Sequence, residues 1–168
     1  MEMEKRHSPI IMIEKETIEL IWHYTHGQYL EKILESGELR VSEAESKLKV
    51  KPPALWLSKN PIWENTATKD VKTPEGVRRM TKKEMHEKCG LFRFALEFDK
   101  IAFITWAKYR YKTNTSIEEY MKMESEGIRW GANPNEWFAT FKNIPLAKCL
   151  AIEQWDGAEW KNLDLFHS

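Results

Sequence analysis

At 168 residues, with 42% hydrophobic and 31% charged side chains, the chain has the balance of one folded domain and not of a disordered segment. Lys plus Arg and Asp plus Glu each total 26, so the formal net charge is zero and no global field argues for a nucleic-acid or membrane partner. Cys89 and Cys149 stand alone without CxxC spacing, which argues against a disulfide scaffold or zinc knuckle and suits a reducing cytoplasm.

In chain order, Met1 to Arg6 is charged with no secretory apolar segment behind it, and no apolar run reaches membrane-spanning length. The expectation is a soluble cytoplasmic protein. Ile10 to Ile13 is apolar but too short to assign. Leu20 to Tyr24 reads as a buried strand, rich in β-branched and aromatic residues. The period then changes: Tyr29, Leu30, Ile33 and Leu34 make one face of a helix that stops at Ser36-Gly37. Leu39 to Val41 is a short strand, 42–53 a polar loop, and Ala54 to Ser58 a second compact strand. Asn60-Pro61 breaks it, and a helix is expected from Pro61, because proline suits a first helical turn.

Residues 69–88 carry seven Lys/Arg against four Asp/Glu, with a turn at Thr73 to Gly76 and a helix capped by Thr81. Leu91 to Phe98 is a strand, and Ile101 to Trp106 is expected as a second one beside it. Ser116 to Glu126 reads as a helix ended by Gly127. A Gly131 to Pro134 loop leads into a strand from Glu136, another follows at Cys149 to Gln154, and Asp156-Gly157 turns into a last one. The sum is an α+β domain, short helices on a mainly antiparallel sheet.

No P-loop, GxGxxG or GxSxG is present, so neither a phosphate cradle nor a nucleophile elbow is indicated. The histidines lack HxxxH or HxH spacing, which argues against a metal site. Segment 69–88 is either a solvated helix face or a phosphate-contacting patch for DNA or RNA. An acid before a strand, such as Glu136, is ordinarily solvated. Three stretches change its standing.

His23-Tyr24-Thr25 leads into Leu30, Ile33-Leu34 and Gly37. Leu55-Trp56-Leu57-Ser58-Lys59-Asn60-Pro61 ends a second strand on a small hydroxyl residue. Asn135-Glu136-Trp137-Phe138-Ala139-Thr140-Phe141 then sets a glutamate at the head of a third. In this order the chain resembles the ADP-ribosyltransferase superfamily over roughly residues 20–155, its motifs matching that family's His-x-Thr strand, hydroxyl-ended second strand and Asn-Glu-Tyr strand. The resemblance implies a split antiparallel β-sandwich with short flanking helices, one catalytic domain over 1–168, and NAD as co-substrate with no metal. It implies His23 and Glu136 as catalytic residues. His23 would hold the adenosine ribose, backbone of Tyr24 the nicotinamide amide, and Thr25, Trp56 and Ser58 would line the NAD site. Trp63, or else Asn65, would stand where the family stacks a tyrosine on nicotinamide. Arg129, Trp130, Asn133 and Asn135 would face the acceptor, and Pro134 replaces the second acid or amide of arginine-modifying relatives.

The expected activity is mono-ADP-ribosyl transfer to a nucleic acid or protein, as in a microbial or phage toxin, with room for an antitoxin or inhibitor as partner. NAD hydrolysis, RNA 2′-phosphate removal on the same fold, or non-enzymatic nucleic-acid binding are the alternatives.

Overall fold

The computed structural model describes residues 17–42 and 52–163; the apolar run at 10–13 and most of the polar loop at 42–53 lie outside them. Strand β1 (Leu20–His26) runs directly into helix α1 (Gly27–Ser36). Gly37, at φ 74°, closes α1 in the left-handed conformation, its N–H donating to the Ile33 carbonyl. Strands β2 (Glu38–Leu39) and β3 (Leu55–Ser58) follow. The basic segment holds a hairpin, β4 (Asp70–Thr73) and β5 (Gly76–Arg79), and then α2 (Lys82–Cys89). Thr81 and Glu84 cap α2 reciprocally, each side chain accepting from the other's backbone N–H.

The second half contributes β6 (Leu91–Glu97), β7 (Ile104–Thr105), α3 (Trp106–Thr113) and α4 (Ile117–Arg129). A 3₁₀ turn at Pro134–Glu136 leads into β8 (Trp137–Thr140). The chain continues through β9 (Ile144–Pro145), β10 (Ala151–Trp155) and β11 (Trp160–Asn162). One seven-stranded antiparallel sheet dominates, in the order β11-β10-β6-β1-β3-β8-β7. Strand β6 is buried at six of its seven positions because both of its faces are covered, which explains its near-continuous apolar sequence.

Side chains alternate across the sheet. Ile21, Leu55, Leu57, Phe94, Leu96 and Phe138 pack with Ile33 of α1 and Leu39 in one core cluster. Trp106 and Tyr109 of α3 pack with Trp137 and Ala139 in a second. Tyr24, Trp63 and Leu91 pack with Met80 and with Met85 of α2 in a third.

Three expectations are corrected. No helix starts at Pro61: the chain runs through bends and turns to residue 68, although the Asn60 side chain accepts from the Ile62 and Trp63 N–H groups as a helix cap would. Residues 101–106 do not make a strand beside β6. Only Ile104 and Thr105 are extended, at the far edge of the sheet against β8, and Trp106 opens a helix capped by the Thr105 hydroxyl. That helix buries Trp106, Tyr109 and Thr113, a helical spacing masked by the β-rich residues ahead of it. Finally, α4 continues past Gly127 to Arg129, because Gly127 is a contact point with Trp137 and not a stop.

Candidate active site

Strand β1 is paired with β6 along its whole length, from Leu20↔Glu97 to His26↔Leu91, but with β3 at a single register pair, Trp22↔Ser58. Past that pair the two strands part. The His23 side chain enters the gap, its Nδ1 2.8 Å from the Trp56 carbonyl oxygen. A carbonyl only accepts, so Nδ1 carries the hydrogen, and a neutral ring then offers Nε2 as an acceptor. Burial lowers the His23 pKa below the usual imidazole value, the Trp56 carbonyl offsetting part of the effect, so the ring is neutral at pH 7. The β1 edge facing the gap has no further strand register, which leaves backbone donors and acceptors for a ligand.

A cleft of about 820 Å³ opens at this separation, within the roughly 300–1,000 Å³ range of small-molecule sites. It is lined by His23, Tyr24 and Thr25 of β1, by Trp56 and Ser58 of β3, and by Trp106 and Trp137. Tyr29 of α1, half exposed, adds an accessible ring, and Lys32, Arg40 and Arg79 add cationic groups.

Glu64 is the carboxylate most firmly built into the wall, 7% exposed. Its Oε1 accepts from the Ser58 hydroxyl at 2.8 Å. Its Oε2 accepts from the Thr66 N–H at 3.1 Å, the Thr66 hydroxyl at 2.6 Å and the Trp137 indole N–H at 3.2 Å. Read along the chain, Glu64 is one more acid in a polar turn between Trp63 and Asn65. Its partner Trp137 lies 73 residues away, and only the pairing of β3 with β8, Ser58↔Trp137, brings the two together.

Glu136 precedes β8 by one residue, and its backbone carbonyl accepts from the Lys59 N–H at 3.0 Å, which sets it beside the end of β3. It is half-buried and is not among the residues lining the cleft. Its pKa is raised, by burial first and then by the negative charge of Glu64, while a hydrogen bond from the Asn60 side chain pulls it back. Two acids therefore lie by the end of β3, Glu64 fixed in the cleft wall through Ser58 and Glu136 tied by its backbone to Lys59.

No family model, curated protein or solved structure matches the chain. The site thus stands on its own geometry. Of the residues expected to hold a ligand, His23, Tyr24, Thr25, Trp56 and Ser58 line this cleft. Trp63 does not line it: the ring is buried edge-on against Tyr24, at 5.3 Å between centroids, among Met80, Met85 and Leu91. Asn65 is exposed on the outer side of the turn and comes close to Gly131. Tyr24 is itself buried, its hydroxyl donating to the Asn60 carbonyl and its pKa raised to about 12 chiefly by burial.

Arg129 and Trp130 are exposed at the end of α4, and Trp130 carries the Arg79 guanidinium 5.6 Å from its ring. Asn133 and Asn135 are exposed too, the Asn133 side chain accepting from the Asn135 N–H at 3.1 Å to shape the turn before Glu136. Among the described residues no group of His, Cys, Asp or Glu side chains could hold a metal ion, and no helix is long and apolar enough to cross a membrane.

Proposed function

We propose that the chain is an NAD-dependent mono-ADP-ribosyltransferase working in the cleft between β1 and β3. The observation that carries this reading is the strand order. His23 of β1, Ser58 of β3 and the Glu136 that heads β8 come from consecutive neighbours in the sheet, at the point where the sheet parts. That parting supports the split β-sandwich implied by the resemblance.

In this reading the Nε2 of neutral His23 accepts a hydrogen bond from an adenosine ribose hydroxyl, and the free β1 edge at Tyr24 holds the nicotinamide carboxamide. Lys32 is a wall cation for the diphosphate, and Arg40, paired with Glu38 at 3.3 Å, is a second that would exchange that carboxylate for it. With Trp63 in the core, the stacking partner for nicotinamide falls to an aromatic ring of the wall, and Tyr29 is the accessible one.

Loss of nicotinamide leaves positive charge on the ribose. A fixed carboxylate beside it gains more attraction in that transition state than in the ground state, which is the condition for catalysis. Glu136, beside the end of β3, is the group assigned to this task, and the exposed Arg129 and Trp130 are assigned to the acceptor macromolecule.

The test is incubation of the chain with NAD labelled in its adenylate half together with cell extract, DNA, RNA or protein. Label fixed to one class of macromolecule supports transfer. Free ADP-ribose alone would make the protein an NAD glycohydrolase, and intact NAD under every condition would refute the reading.

A further inference from the structure

We propose, resting on the reading above, that Glu64 is a positioning residue: a wall carboxylate that orients Ser58 and Trp137 and, through Ser58 and Asn60, holds the end of β3 so that Glu136 receives the acceptor's proton. Four donors converge on Glu64. The Trp137 indole N–H and the Thr66 backbone N–H can only donate, and both point at Oε2. Ser58 spends its one hydrogen on Oε1 and accepts from the Asn60 N–H at 3.1 Å, so its orientation is fixed as well. The position is built for an acceptor-only group. Its geometry is locked by β3 on one side and β8 on the other.

Asn60 links the two acids. Its backbone N–H meets Ser58, which holds Glu64, while its side chain donates to Glu136. Lys69 donates to Gln28, and Lys59, equally near Glu64 in sequence, does not neutralise the pair either. Its ammonium is engaged by Glu19 at 2.7 Å and lies 3.8 Å from the Phe98 ring centroid and 4.9 Å from that of Phe138. Beyond the turn, α4 carries Glu126, which lines the cleft, and exposed Arg129. Burial first, and then the charge of Glu64, raise the affinity of Glu136 for a proton, with the Asn60 side chain opposing them.

The step is then a displacement. An acceptor hydroxyl or amine forms a bond to the ribose C1′, the N-glycosidic bond breaks with its electron pair passing to nicotinamide, and the acceptor's proton goes to Glu136. Glu64 touches none of the reacting atoms. Its contribution is a matched proton affinity at Glu136 and a rigid end of β3.

The experiment is Glu64→Gln, with Glu64→Asp as a second variant that keeps the charge. Carboxyl ¹³C titration of Glu136 by NMR, on the chain without NAD, should give a lower midpoint in Glu64→Gln than in wild type. The Asp variant should stay nearer wild type. With NAD and acceptor, Glu64→Gln should lower kcat at least about 10-fold with a smaller change in KM, and move the acid limb of the pH profile in the same direction as the titration. An unchanged Glu136 midpoint in folded Glu64→Gln, or in its absence an Asp variant with wild-type kcat and acid limb, overturns the role. A wild-type chain that never releases nicotinamide overturns the function above and this role with it. The titration separates the two failures, because it needs no NAD.

Discussion

Replacing Gly127 by alanine puts a methyl group where the indole of Trp137 already lies. An ideal Cβ at Gly127 falls 2.4 Å from Cη2 and 2.5 Å from Cζ2 of that ring, about 1 Å inside ordinary carbon contact. The ring has little room to retreat. Its N–H is tied to Glu64 at 3.2 Å, and it stands edge-on to Trp106 at 5.5 Å between centroids. In a helix interior without such a neighbour, glycine to alanine stabilises by about 1 kcal/mol. Here the forced shift costs about 1–3 kcal/mol, and because the obstacle is a pinned ring the upper half of that range applies. The net expectation is a loss of about 1–2 kcal/mol. Urea unfolding of Gly127→Ala, read beside Ser125→Ala at an exposed site on the same helix, measures it as a lower midpoint at unchanged slope. A Gly127→Ala chain as stable as Ser125→Ala would refute the packing argument, and with it the contact of α4 on Trp137 that shapes the cleft.

Other outcomes follow from the same geometry. Arg93 donates to Glu153 at 2.7 Å and to the Pro61 carbonyl at 2.5 Å, its guanidinium 4.6 Å from the Trp160 ring centroid and 5.3 Å from that of Trp22. Arg93→Met should cost about 3 kcal/mol, and adding Glu153→Gln should cost less than the sum of the two; additive costs in a double-mutant cycle would contradict a coupled pair. The folded-state pKa of His23 lies below its unfolded value of 6.5, so the unfolded chain binds the proton more readily. Stability should therefore fall as pH drops below about 6.5 and level off below the folded value. The slope should shrink in His23→Asn, whose amide can still donate to the Trp56 carbonyl; an equal slope would remove His23 as its source. Trp130→Ala should leave NAD binding by calorimetry unchanged and lower transfer to the macromolecule, since Trp130 does not line the cleft. A matching loss of NAD affinity would place it with the dinucleotide instead.

Much of the fold was legible because local signals and tertiary packing agree in β1, α1, α2 and the last hairpin. The β-branched and aromatic run of Leu20 to Tyr24, the Gly37 stop and the Thr81 cap each act within a few residues, and each survives in the structure. The helix from Trp106 was not read, because Trp and Tyr are as welcome in strands as in helices and the decisive signal was the Thr105 cap. The turn after Asn60 carries a helix-like start, yet Glu64 is held by Ser58 and Trp137, and tertiary hydrogen bonds outweigh the local preference. The same reason hid the second carboxylate of the site. A chain of aromatic and acidic residues announces that some will be buried, and which ones depends on strands that meet only after folding.

The most direct measurement is nicotinamide release from NAD by wild-type chain and Glu136→Gln, each first shown by calorimetry to bind NAD. Removing the carboxylate while keeping its shape should leave affinity within a few-fold and reduce turnover by about 100- to 1,000-fold. It should not weaken the fold, since burial and then the charge of Glu64 both disfavour the ionised form of Glu136. Turnover undiminished in a folded, NAD-binding Glu136→Gln would contradict the account at its centre.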